Sequence, residues 1–235
     1  MIDVLNTPGG MDQLLKLGVR KVPCVVVGKR YTFAQNLKDV ATFLGIPLER
    51  EVLPPDRLVA KYIEILAAAQ RMVRQIPANK MDERVIANRP RTLRPFAYHI
   101  FRIAESFLLT YDGAEFSETM TQIQPTKGLK SVAEIVAYGE KVRDRLAGWW
   151  ETTADKACQK SLHTYYGIQA AHDVLERCTW HSAQHCRQLT IVLDRYGIKA
   201  DGPATPELLA GLPLPERALG VAQRVEPSVW APSRG

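Results

Sequence analysis

The sequence of 235 residues is poor in cysteine, with four in all, and no two of them form a CxxC pair. Cys24, Cys158, Cys178 and Cys186 are scattered along the chain. That excludes a disulfide framework and a paired-cysteine redox or metal motif, and points to a reduced, cytoplasmic protein. No apolar run approaches the roughly 18–20 residues that a membrane span requires. The opening residues, MIDVLNTPGG, lack a basic, apolar, cleavable pattern, so export is not expected. Hydrophobic residues make up 46% and charged residues 24% of the chain. Such a composition excludes a disordered or collagen-like polymer and provides for one large domain or two small ones with a buried core.

The net charge of +6 is unevenly spread. Arg71, Arg74, Lys80, Arg84, Arg89, Arg91, Arg94 and Arg102 are opposed locally only by Asp82 and Glu83, so the span 71–102 carries an excess equal to that of the whole chain. A uniformly basic surface would suggest nucleic acid. One basic stretch suggests a local task or a solvated linker. With no helix-turn-helix or RNA-binding motif, nucleic acid is not an expected partner.

Residues 1–50 read as a small β-α-β-β-α unit. Ile2–Leu5 is a short strand and Met11–Leu17 a helix ending at Gly18. Val25–Val27 and Tyr31–Phe33 are strands about a Gly28–Lys29 turn, and Asn36 caps a helix that Gly45 stops. Ile46–Pro55 is a proline-bearing linker. Residues 56–198 then show four long amphipathic patterns, the mark of a helical bundle. Asp56 opens the first, which Pro77 stops. Thr92 opens the second, and Pro95 is tolerable in its first turn. Ser131 opens the third. The fourth runs from about Ile168 to Tyr196, with Gly197 at its end. Residues 199–235 are proline-rich and without period, and read as an irregular tail packed on the surface.

The inward stripe of the fourth pattern includes Val174, Cys178, His181, Leu189 and Val192, with His185 one turn beyond His181 on the same face. Two stacked imidazoles in a buried seam need partners, since an unsatisfied buried polar group costs on the order of 1–3 kcal/mol. A divalent metal satisfies both with neutral nitrogen ligands. HxxxH alone is a weak signal, and core or surface histidines are the plain alternative. Ser182 stands where a zinc protease would need its glutamate. His99, on the second helix beside the Phe96/Ile100 stripe, adds a third imidazole able to face the fourth helix. Three histidines leave coordination positions open, as catalytic sites do. His163 and His172 fit this face less well.

The segments Phe96–Ile100 and Trp180–Leu189, with one histidine on the second helix and HxxxH followed by Arg187-Gln188 on the fourth, resemble the DinB-like family of metal-binding four-helix bundles. The resemblance covers roughly residues 56–198. It implies an up-down-up-down bundle, a zinc or nickel ion on His99, His181 and His185, and a homodimer. It also implies a low-molecular-weight thiol such as glutathione as cosubstrate, with a small electrophile as its target. Metal-bound thiol loses its proton to become a nucleophile, and metal-bound water is activated in the same way. In the first 50 residues, Gly18–Cys24 followed by Val25–Gly28 resembles the cis-proline loop and following strand of a glutaredoxin-like thioredoxin fold. By that likeness Val22 and Pro23 are the place where a thiol peptide would bind, but the CxxC half of such a fold is missing, so the segment reads as structural packing first, with a thiol-binding remnant or a dimerisation piece as the alternatives.

The expectation is therefore a mainly α protein, a four-helix bundle preceded by a half-thioredoxin-like unit, acting as a metal-dependent thiol transferase. A metal-dependent hydrolase or a non-enzymatic ligand-binding protein is the alternative. Arg94 and Arg102, which frame His99, are candidates for clamping a substrate anion, against a plain solvated role. Gln188 is placed to bond a ligand histidine or substrate. Cys24, Cys178 and Cys186 read as small core residues, and Trp149, Trp150 and Trp180 as packing.

Overall fold

A computed structural model describes residues 7–20, 22–85, 91–117, 119–123 and 129–215. The chain divides into two compact units, residues 1–51 and 52–235.

In the first unit, α1 (Gly10–Lys16) ends where Gly18 turns left-handed at φ 74°, and the Val19 N–H closes back onto the Leu14 carbonyl. This is the glycine-terminated cap that a helix end favours. Strands β1 (Cys24–Val27) and β2 (Arg30–Phe33) form an antiparallel hairpin across Gly28, and α2 (Leu37–Leu44) follows. The Asn36 side chain accepts the Lys38 N–H and Gly45 ends the helix left-handed, both as the sequence predicts. The expected strand at Ile2–Leu5 lies outside the described residues. Among the described residues the unit's sheet has two strands, and a thioredoxin-like sheet is not established.

The second unit is built on α3 (Pro55–Arg74), α4 (Leu93–Tyr111), α5 (Val132–Thr152) and α6 (Ala171–Arg195). Pro54, not Asp56, is the N-cap of α3. Pro55, with φ pre-set for a helix, takes the first helical position and leaves Asp56 in the first turn. Thr92 precedes α4 but caps nothing with its side chain, because the carbonyls of Glu83 and Met81 already accept the Leu93 and Arg94 N–H groups. Ser131 and Glu134 form a reciprocal capping box on α5.

The register of contacts fixes the bundle's directions. Along α3 and α6, Tyr62 meets Ser182, the Ile65 carbonyl meets Cys186 and Met72 meets Thr190, so the two run parallel. Along α4 and α5, Tyr98 stacks on Tyr138, Phe107 meets Trp149 edge to face, and Tyr111 bonds Thr153, so these are parallel as well. Between α4 and α6 the order reverses, with Phe96 at His185 and the Ile100 carbonyl at Ser182. The order is up-down-down-up, a correction to the up-down-up-down expectation. Successive helices α3 and α4 pack mainly against α5 and α6 rather than against each other.

Two parallel neighbours need a long return, and residues 112–131 provide it. Its described residues 119–123 lie back along α4: Met120 sulfur takes the Thr110 hydroxyl, Met120 carbonyl takes Arg102, and Thr121 carbonyl reaches His99. The other connection holds a second hairpin, β3 (Ser161–Thr164) and β4 (Gly167–Ala170), turning at Tyr165–Tyr166. The fourth helix therefore begins at Ala171, and Ile168 sits exposed on a strand. Residues 199–215 run mostly without regular structure, apart from a short helix α7 (Pro206–Leu209). Side chains of α3 and its C-cap Gln75 hold this stretch: Lys61 donates to the Glu207 and Leu208 carbonyls, Arg71 to Gly202 and Gln75 to Lys199. The remainder of the predicted tail lies outside the described residues. Among the described residues no helix is long and apolar enough to cross a membrane.

Candidate metal centre

The antiparallel contact of α4 with α6 brings His99, His181 and His185 together. One nitrogen from each lies within 4.8 Å of the other two. Ring centroids are 5.4 Å apart for His99–His181, 4.9 Å for His99–His185 and 4.8 Å for His181–His185. Among the described residues they are the one such cluster of three or more His, Cys, Asp or Glu. His163 lies exposed on β3, and His172 Nε2 bonds the Leu53 carbonyl at 2.8 Å.

The helices are pinned at this height. Ser182, between the two histidines of α6, donates to the Ile100 carbonyl and accepts from Tyr62, each at 3.0 Å. The Ser182 hydroxyl thus ties α3, α4 and α6 together. The edge of Phe96 meets His185 at 5.3 Å, and Trp180 lies 5.8 Å from His181.

Two imidazoles are oriented from behind. His99 Nδ1–H donates to the Thr121 carbonyl at 2.5 Å, and His185 Nδ1–H donates to Gln188 Oε1 at 2.6 Å. In each ring this tautomer leaves Nε2 as a lone-pair donor. Support of this kind fixes both the ring and its basicity in histidines that hold metals. His181 Nδ1 is buried and has no hydrogen-bond partner among the described residues, an orphan that a metal ion would satisfy. The donor set, three neutral imidazole nitrogens, suits a borderline divalent ion.

Burial, then the repulsion between its protonated form and a protonated His185, and the charge of Arg91, holds His99 well below the ordinary imidazole range. Burial, then His185 and Arg177, does the same for His181. Both are therefore neutral near pH 7, the form that binds metal.

The other expected site residues are placed differently. Arg94 spends its guanidinium on Asp82 at 3.1 Å, and Arg102 on Glu105 and the Met120 carbonyl. The charges that bear on the imidazoles are those of Arg91 and Arg177. Arg177 was not singled out from the sequence. Its signal is its position, four residues before His181 on the stripe that carries both histidines. Val22 and Pro23 belong to the N-terminal unit. There their shared peptide bond is cis, Val22 is exposed, and the Pro23 carbonyl accepts the Ala34 N–H at 2.9 Å. Cys178 and Cys186 are fully buried, and burial pushes both thiols up to about 12. Neither is a nucleophile near neutral pH. Cys24 is half-buried rather than a core residue.

No protein-family model matches the chain, and no curated protein sequence matches it. Among solved structures the chain is similar to YfiT from Bacillus subtilis, described as a probable metal-dependent hydrolase with an unusual four-helix bundle topology. The similarity has a TM-score of 0.48 at 18% sequence identity, over 65% of this chain and 95% of that one.

Proposed function

We propose that the chain is a divalent-metal enzyme that holds zinc or nickel on His99, His181 and His185 and directs a low-molecular-weight thiol, glutathione-like, or water at a small electrophile. The observation that carries this reading is the convergence of three imidazole nitrogens within 4.8 Å from two antiparallel helices. When bound, such an ion lowers the pKa of a thiol or water and so supplies a nucleophile near neutral pH.

The chain's own residues do the rest. Thr121 and Gln188 hold two of the rings in the metal-binding tautomer. Burial keeps His99 and His181 unprotonated. Ser182 and Tyr62 keep the helices at one separation, so the three nitrogens stay convergent. Three protein ligands leave positions for substrate and nucleophile, which distinguishes this set from a closed structural site.

Metal content by mass spectrometry of wild type and His181→Ala tests the ion. We expect stoichiometric metal in the first and a small fraction in the second, at unchanged helical content by circular dichroism. Equal and negligible metal in both overturns the reading. Assays of the loaded protein with glutathione and a chloronitrobenzene, and separately with an activated ester, distinguish thiol transfer from hydrolysis. Metal without turnover of either, or turnover unaffected by His185→Ala, would instead favour a binding protein.

A further inference from the structure

We propose that Arg102 is a positioning residue for His99, acting through the backbone of residues 120 and 121. This rests on the metal reading above. The Thr121 carbonyl accepts His99 Nδ1–H and so fixes the ring and its tautomer. It belongs to one short helical turn, Met120–Gln122, in the connection between α4 and α5. A carbonyl orients a ring only as firmly as its own peptide is held. The carbonyl just before it, that of Met120, accepts Arg102 Nε–H at 3.1 Å. Arg102 lies three residues beyond His99, so both side chains leave one face of α4. Consecutive carbonyls are thus met by two side chains a turn apart on one helix, and one of the two is the metal-binding ring.

Arg102 is itself held from α5. Its Nη1–H donates to Glu105 Oε2, which also accepts the Tyr138 hydroxyl at 2.6 Å. Arg145 Nη1–H donates to Glu105 Oε1 at 3.1 Å. Burial and the Glu105 carboxylate push the Tyr138 hydroxyl far up, so it remains a donor. The side chains of Arg102 and Glu105 are 11% and 17% exposed, so neither is a freely solvated charge. A guanidinium suits this place because its N–H groups point in fixed directions from one plane. Nη1 engages the carboxylate while Nε meets the carbonyl. A lysine ammonium has the same charge on a single nitrogen and lacks that span. The relay therefore runs from α5 through Glu105 and Arg102 to the turn, and from the turn to His99. Without it the Thr121 carbonyl loses its anchor, and the ring is freer to carry its proton on Nε2, the nitrogen that a metal needs bare.

Two measurements on the full chain test this. The first is zinc affinity by competition with a chromophoric chelator. Arg102→Met should weaken it about tenfold, the low end of what a lost support behind a ligand histidine costs. Arg102→Lys, with the charge and without the span, should weaken it by less, about threefold. Thr110→Val removes the Met120 sulfur contact of the same turn and should leave the affinity unchanged. The second is the His99 tautomer in the metal-free protein near pH 8, read from the nitrogen-15 shifts of the ring. Wild type should carry the proton on Nδ1. Arg102→Met should add a population protonated on Nε2, which a general loss of stability would not produce. The lysine variant decides both measurements if the methionine variant fails to fold. An unchanged tautomer in the variant that folds overturns the proposal. So does an unchanged affinity where wild type binds zinc, or an equal loss in Thr110→Val. If wild type takes up no zinc, the metal reading fails, and the tautomer alone decides whether Arg102 positions His99.

Discussion

Gly139 of α5 lies against the ring of Phe101 of α4 so closely that a Cβ there would stand 2.6 Å from it. Phe101 is fully buried, and it cannot withdraw without disturbing the seam between two parallel helices. Gly139→Ala would gain about 1 kcal/mol of helix propensity and lose about 1–3 kcal/mol or more to overpacking. We expect a net loss of about 1–2 kcal/mol by urea denaturation. Gly148, on the same helix with open space around it, is the control. Gly148→Ala should be neutral or stabilising, and equal effects of the two substitutions would contradict the close approach.

Metal should stabilise the fold as well as equip it. An ion that binds only the folded chain adds about 2.7 kcal/mol at a hundredfold excess over its Kd. For a unit of this size that corresponds to roughly 5–10 °C in Tm. Thermal melts with zinc and with excess chelator should differ by this much in wild type. His181→Ala should show little response. A wild-type melt indifferent to zinc would count against the triad.

Gln188 holds His185 through Nδ1 and is itself 5% exposed. Gln188→Leu keeps the volume and removes the acceptor. Loss of such support costs about 10–100-fold in metal affinity. Isothermal titration with zinc should show that loss in a variant whose helical content is unchanged. An unaltered Kd would mean that the 2.6 Å contact does not orient the ring.

Much of the bundle is written in local signals. Ser131 with Glu134, Asn36, Gly45 and the apolar stripes of α3 to α6 place helices within a few residues of where they form. HxxxH on one stripe and a lone histidine beside another were enough to choose the three imidazoles that converge. What stayed hidden was non-local. Nothing in the stripes records which helices are parallel, because a stripe specifies a buried face and not a neighbour. The hairpin at Ser161–Ala170 turns on Tyr165–Tyr166, without the Asn-Gly or Asp-Gly that marks a short turn, so its second strand reads as the start of α6. The carbonyl of Thr121 is invisible to any reading of side chains. Arg94 and Arg102 looked like site residues because they are near His99 in sequence. The acids that occupy them are Asp82, one of the two acids inside the basic span itself, and Glu105, just beyond its end.

Stability of the metal-free protein should fall with pH in a definite window. His99 and His181 are held well below the ordinary imidazole pKa by burial and by neighbouring positive charge. The unfolded chain protonates its imidazoles near pH 6.5. Between that value and the depressed folded values, the unfolded state binds more protons, so protonation draws the equilibrium toward it. The contribution of these groups to stability is thus fully present above about pH 6.5 and declines as pH falls toward the folded pKa values. Each group adds at most about 1.4 kcal/mol per pH unit within the window. His99→Gln removes the more deeply buried of the two and keeps an N–H that can meet the Thr121 carbonyl. Urea denaturation in chelator at pH 7.5, 6.0 and 5.0 should show wild type losing stability more steeply than this variant below pH 6.5. The difference in slope should approach, and not exceed, about one group's share. Parallel curves would mean that His99 is protonated in the fold at the same pH as in the unfolded chain, and that the triad is far wetter than its burial implies.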